Sequence, residues 1–227
     1  MSHEKEKQLI GDKAVMLVET GMKIGLGTGS TAEPFIKSLK KRVERENLKI
    51  QCVCTSLKSK QLVGDAIPFL DESLSEPLDI TFDGADLFDP SSFNSIKGGG
   101  GALLREKLVS LVSHKNVVLI DYSKISTPLQ GHKVAIEIVP FGVNSTLNRF
   151  KKLGYKGSLR TIDSKPVHSD NSNYIFDIEY QGAIEDPISE HFKIKQINGV
   201  IETGFFFKYA SIAFVGYSDG TVKKLEI

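Results

Sequence analysis

From Leu9 to Asp121 the chain switches repeatedly between two hydrophobic rhythms, and few folds satisfy that alternation. Leu9, Ile10, Ala14, Leu17 and Val18 recur at helical spacing, with Gly21 as a stop. Lys23–Gly27 then reads as a short strand, Thr28–Thr31 as a turn, and Ala32, Phe35, Ile36, Leu39 and Val43 as a second helical stripe. Leu48–Cys54 is strand-like, Ser56–Ala66 helix-like and Leu78–Phe82 strand-like. Ala102–Ser113 follows as a helix and Asn116–Asp121 as a buried type of strand. Strands that alternate with helices call for an α/β domain with a largely parallel, Rossmann-like sheet.

Beyond Gly131 the rhythm changes. Lys133–Pro140 alternates as a strand, Val143–Leu153 is helical, and residues 157–162 and 173–180 are strand-like. A helix opens at Asp186 with Pro187 in its first position, and a strand covers residues 200–204. That order is a split βαβ, ferredoxin-like module. The tail carries two strands around Ser218-Asp219-Gly220. The expected partition is therefore 1–130 plus 205–227 as an α/β catalytic domain, with 131–204 as a smaller α+β domain.

Composition narrows the function classes. With 29 basic and 28 acidic residues among 227, the net charge is +1, which argues against nucleic acid as a partner. Cys52 and Cys54 are too close along a strand for ordinary disulfide geometry and read as reduced thiols. His3, His114, His132, His168 and His191 are scattered, so no metal site is expected. The N-terminal stretch lacks the apolar core of a signal peptide, and no apolar run reaches the length of a membrane span. The expected setting is cytoplasmic, without membrane contact.

Ligands of open α/β sheets gather at the carboxyl ends of strands, and four loops lie there. Thr28, Gly29, Ser30 and Thr31 combine hydroxyls and backbone N–H groups at a helix start, a cradle for phosphate or carboxylate; the plainer alternative is a turn with Ser30 or Thr31 as N-cap. Ser30 stands where the third glycine of a dinucleotide fingerprint belongs, and no Walker A lysine follows. Asp83 and Asp86 flank Gly84-Ala85, two carboxylates suited to proton exchange or to a solvated turn. Lys97 precedes the glycine run Gly98–Gly101, whose amides can approach an oxyanion. In the helix behind it, periodicity sets Glu106 opposite Leu103, Leu104, Leu108, Leu111 and Val112, the place of a solvated glutamate. Lys124 follows the strand ending at Asp121 and by itself reads as a surface lysine.

Together, "GLGTGSTA", "DGAD", "KGGGGALLREK" and "DYSK", in this order, closely resemble the A-type ribose-5-phosphate isomerases, and the likeness runs over nearly the whole chain. The resemblance implies an aldose–ketose isomerase of the non-oxidative pentose phosphate pathway. It would act without metal or cofactor on a small sugar phosphate, typically as a homodimer. It makes Glu106 the general base between C1 and C2, with Lys97, Asp83 and Asp86 in the catalytic group. Substrate contacts would come from Thr28, Gly29, Ser30, Thr31, Asp83, Gly84, Ala85, Asp86, Lys97, Gly98, Gly99, Gly100 and Lys124, with Lys7 helping to hold phosphate. Leu87 stands where an acid commonly follows the DGAD motif, and four glycines replace the usual three and alanine. Two other classes share parts of this pattern. A sugar-phosphate sensor would need no Lys97 and Glu106, and a CoA-transferase-like enzyme would form a covalent acyl bond to Glu106.

Overall fold

A computed structural model describes residues 3–227. In chain order the helices are α1 (His3–Ala14), α2 (Ala32–Glu46), α3 (Leu57–Val63), α4 (Leu103–Leu111), α5 (Val143–Lys152) and α6 (Pro187–Lys195). The strands are β1 (Lys23–Leu26), β2 (Gln51–Cys54), β3 (Leu78–Gly84), β4 (Leu87–Asp89), β5 (Asn94–Ile96), β6 (Ser113–Asp121), β7 (Lys133–Ile138) and β8 (Gly157–Leu159), then β9 (Thr161–Ile162), β10 (Lys165–Pro166), β11 (Tyr174–Glu179), β12 (Val200–Thr203), β13 (Phe205–Phe206), β14 (Ile212–Gly216) and β15 (Val222–Glu226).

The chain divides into two compact units. The first holds the chain up to Ala85, Arg105–Ile125 and Lys208–Ile227; the second holds Asp86–Leu104 and Ser126–Phe207. The sequence placed these crossings at 130/131 and 204/205. The structure differs because β4 and β5 pair with each other and β5 with β13, while Leu87 and Ile96 join the core of Ile136, Phe176 and Phe205. Strands of two or three residues show no readable period, so this small sheet was not expected.

In the first unit six strands run in the order β15-β14-β6-β3-β1-β2. All neighbours are parallel except the β14–β15 hairpin. Central strands of such a sheet are covered on both faces and become continuously apolar; β14 is buried throughout, as are residues 117–121 of β6. Phe35, Ile36 and Leu39 of α2 enter the core with Ile24, Leu26 and Phe82, and the Phe35 and Phe82 rings stack at 4.2 Å. From β1 the chain builds outward to β2 and then crosses to the other side at β3. The carboxyl ends of β1 and β3 thus flank the point where strand order reverses, the natural ligand crevice of this architecture.

In the second unit β12-β7-β11-β8 form an antiparallel sheet. With α5 after β7 and α6 after β11, this is the 4-1-3-2 order of the expected ferredoxin-like module. Asp186 caps α6 by accepting the Ser189 N–H at 3.0 Å, with Pro187 opening the helix. The stretch 157–162 is not one strand. It breaks at Arg160 into β8 and β9, and β9 turns back on β10 through Asp163 and Ser164, both at positive φ.

Candidate active site

The first unit supplies the TGST loop, Asp83, Glu106, Lys124 and Lys7. Gly27 must be glycine, because a Cβ there would lie 1.9 Å from Asp83 Oδ1. That closeness brings the Asp83 carboxylate onto the backbone. Oδ1 accepts the Thr28 N–H at 3.0 Å and its neighbour's, Gly84, at 2.8 Å. Asp83 therefore ties the end of β3 to the loop after β1. Thr28 Oγ1 donates to Ser56 Oγ at 2.7 Å and lies 2.9 Å from Thr55 Oγ1 and 3.2 Å from Ser59 Oγ. Ser59 Oγ in turn donates to the Gly27 carbonyl at 2.6 Å. Thr28 is thus committed to the protein, and a hydroxyl cluster from the β2–α3 connection, which the sequence did not flag, braces it.

Gly29 adopts φ +119°, and the side where a Cβ would stand is open. Thr31 occupies the N-cap of α2, but neither of the expected side-chain caps forms there: Thr31 makes no cap hydrogen bond. First-turn N–H groups not served by a cap suit an anion. Lys7 Nζ donates to Ser30 Oγ at 2.8 Å, which places a cation on the exposed edge of the same loop. Lys124 is half-buried in a short 3-10 turn held by Asp121, which accepts from the Ser123 N–H at 3.1 Å and from its hydroxyl.

Glu106 lies in the first turn of α4 and is 3% exposed. This overturns the solvated reading drawn from periodicity. The helix keeps Glu106, Lys107, Val109 and Ser110 inside and exposes Leu108 (46%) and Leu111 (61%). A carboxylate withdrawn from water while two leucines face solvent inverts the usual ranking.

The second unit supplies Asp86, Lys97 and the glycine run. Lys97 is 5% exposed, its Nζ 5.4 Å from the centre of the Phe206 ring, and its N–H donates to the Gly204 carbonyl at 2.9 Å. Gly204 permits this, since a Cβ there would stand 2.3 Å from the Lys97 carbonyl oxygen. Gly98, at φ +104°, packs so closely on Ala135 that a Cβ would come within 2.8 Å of it. Asp86 Oδ2 accepts the Gly99 N–H at 2.7 Å. Asp89 is a structural acid. Its carboxylate accepts from the Ser91 N–H and from the hydroxyls of Ser91, Ser92 and Thr127, between 2.7 and 2.9 Å. Burial pushes that carboxyl up, but the hydrogen bonds from Ser92, Ser91 and Thr127 outweigh it and hold it below the usual range. Leu87 is buried and opens β4 in the apolar core.

Among the described residues no three His, Cys, Asp or Glu side chains gather as a metal site, and no helix is long and apolar enough to cross a membrane.

The first unit thus carries a doubly wound sheet with a hydroxyl- and glycine-rich loop at its switch point and a buried glutamate at a helix start, and the second a glycine run behind a buried lysine. Comparison with known proteins carries this further. The family model for ribose 5-phosphate isomerase A (phosphoriboisomerase A) matches residues 51–220. A ribose-5-phosphate isomerase A of Chlamydia muridarum is 42% identical over 224 residues, 97% of this chain and 92% of the relative. The solved ribose 5-phosphate isomerase A of Methanocaldococcus jannaschii superposes with a TM-score of 0.91 at 36% identity, covering 100% of both chains. A further D-ribose-5-phosphate isomerase, solved with phospho-erythronic acid, gives 0.92 at 36% identity and the same coverage. The chain belongs to the ribose 5-phosphate isomerase A family.

Proposed function

We propose that this chain interconverts D-ribose 5-phosphate and D-ribulose 5-phosphate through an enediolate, with Glu106 as general base. The observation that carries this reading is the burial of Glu106 at the start of α4, in a chain where all four family motifs occur in order. An aldose–ketose exchange removes a proton from the carbon beside a carbonyl and returns it to the neighbouring carbon. One base that reaches both carbons serves both transfers, and a positioned base contributes about 10²–10⁴-fold. Burial keeps that base away from competing bulk water. The enediolate oxygen is stabilised by the Lys97 ammonium and by the Gly100 amide of the glycine run, the Gly99 and Gly101 N–H groups being taken by Asp86 and by the Gly98 carbonyl; a good donor is worth on the order of 3 kcal/mol. Asp83 or Asp86 moves the proton that opens the sugar ring. The phosphate does not react. Gly29–Thr31, on the loop that Thr28 braces, hold it with Lys7 and Lys124, and that remote binding fixes the reacting carbons.

The chain's solved relative with phospho-erythronic acid supports a site for a phosphorylated sugar acid of similar size. The assembly proposed with this activity is a homodimer, which light scattering checks. The function itself is tested by ketose formation from ribose 5-phosphate in the presence of EDTA. Wild type should turn over, and Glu106→Gln should fold normally yet lose about 10²-fold or more in kcat. Wild-type turnover in Glu106→Gln would remove the base assignment. A covalent acyl bond to Glu106 with an acyl-CoA would favour the transferase reading instead.

A further inference from the structure

Arg160 belongs to none of the four motifs, yet the glycine loop is fastened to it. It stands at the break between β8 and β9, where its backbone N–H still donates to the Ile175 carbonyl at 2.8 Å. Its guanidinium makes two sets of bonds. Nε and Nη2 donate to Oδ2 and Oδ1 of Asp177 at 2.9 and 2.5 Å, a bidentate fork on a carboxylate that is 9% exposed. Nη1 carries two hydrogens and donates to two successive carbonyls, Gly98 at 3.0 Å and Gly99 at 2.9 Å.

The geometry of the peptide bond gives this contact a consequence. In a trans peptide the N–H points away from the preceding C=O. With the Gly98 carbonyl on Arg160, the Gly99 N–H faces the other way, and there it meets Asp86 Oδ2 at 2.7 Å. With the Gly99 carbonyl on the same nitrogen, the Gly100 N–H is also turned away from the guanidinium. Glycine has no Cβ to restrict φ, so the exposed Gly99–Gly100 segment has little stiffness of its own. The Gly98 carbonyl also accepts the Gly101 N–H at 2.9 Å, so Arg160 shares the first peptide with that turn and holds the second through the Gly99 carbonyl; with the first goes the contact to the Asp86 carboxylate. A lysine could not do this, because a point-charge ammonium cannot fork onto Asp177 and span two carbonyls at once.

We propose that Arg160, locked by Asp177, is a positioning residue for the isomerisation: it orients the Gly99 and Gly100 amides and, through Gly99, the Asp86 carboxylate. The proposal rests on the function assigned above to Asp86 and the Gly100 amide. Arg160 acts through them and does not touch the sugar.

The test pairs a structural readout with a kinetic one. In Arg160→Met, hydrogen exchange at the Gly99 amide should speed up by about 10-fold or more, while amides of β11 keep their protection. In the same variant kcat should fall by about 10- to 100-fold with KM changed by less than about 3-fold, and Arg160→Lys should not restore it. Adding Arg160→Met to Asp86→Asn should cost less than it does in wild type, because both act on one unit. Should Arg160→Met fail to fold, Asp177→Asn releases the same guanidinium and is read by the same exchange and kinetic measurements. Unchanged exchange at Gly99 overturns the clamp. Faster exchange with unchanged kcat, or full additivity with Asp86→Asn, overturns the positioning role. A wild type that does not turn over ribose 5-phosphate would instead refute the assigned function, and the exchange result would still decide whether the clamp exists.

Discussion

The two loops that present backbone amides are braced in opposite ways. The TGST loop leaves β1 at the switch point of a parallel sheet, so its entry is set by strands on both sides. What remains is local, and short groups finish it: one carboxylate, Asp83, and the hydroxyls of Thr28, Thr55, Ser56 and Ser59. The glycine run leaves only the three-residue β5 of a small antiparallel sheet. It is held from a distance by Gly204, Ala135 and the long side chain of Arg160, itself clamped by Asp177. A loop leaving a long parallel sheet needs only small fasteners; a glycine run leaving a three-residue strand needs one reaching in from elsewhere.

That contrast can be broken at either loop. The largest effect is expected from Lys97→Ala. Removing the cation at the head of the glycine run should lower kcat by about 10²-fold with little change in KM, as for a lost oxyanion donor. A change confined to KM would make Lys97 a ground-state contact. Next comes Gly27→Ala, whose methyl would collide with the Asp83 carboxylate. Overpacking of this kind costs about 1–3 kcal/mol, to be read as a lower denaturant midpoint together with reduced turnover. Unchanged stability would show that Asp83 is free to move aside. Ser59→Ala removes one hydroxyl from the Thr28 cluster and should cost about 1 kcal/mol, with activity largely kept.

Asp89→Asn is read on stability alone: it should cost most at neutral pH, and its difference from wild type should shrink on the acid side. The Asp89 carboxyl is held low by its hydrogen bonds in the folded state. Its contribution is therefore fully present above the unfolded value, about 3.9, and fades as pH falls through the lower folded value. Thermal melts of wild type should lose stability over that window more steeply than Asp89→Asn does. Parallel acid profiles would remove Asp89 from the account.

Much of the frame was legible. The buried runs of β6 and β14, the stripe of α2, the Asp186-Pro187 helix start and the βαββαβ order all come from local chemistry that repeats over many residues. The interior face of α4 was not, because the pattern points Leu108 and Leu111 inward while packing buries Glu106 and Lys107 instead. Family motifs, and not periodicity, singled out Glu106. Arg160 had no local signal at all. Its partner Gly98 lies 62 positions away, and a lone arginine between two strand-like stretches looks like any surface charge. The β4–β5–β13 sheet escaped notice for a related reason: its strands are shorter than the period that would reveal them.

The course of the chain between the units bears on how this gene can be cut. The backbone changes unit after Ala85, Leu104, Ile125 and Phe207, and the first two of these points fall inside the DGAD and LLREK motifs. Neither unit is written as one uninterrupted stretch of coding sequence, so neither can be expressed, swapped or shuffled as a simple cassette. A chimera of two relatives joined after Ala85 would take Asp83 from one parent and Asp86 from the other. Breakpoints that respect the units must come in pairs, and those that respect the chemistry must shift several residues off the structural seam.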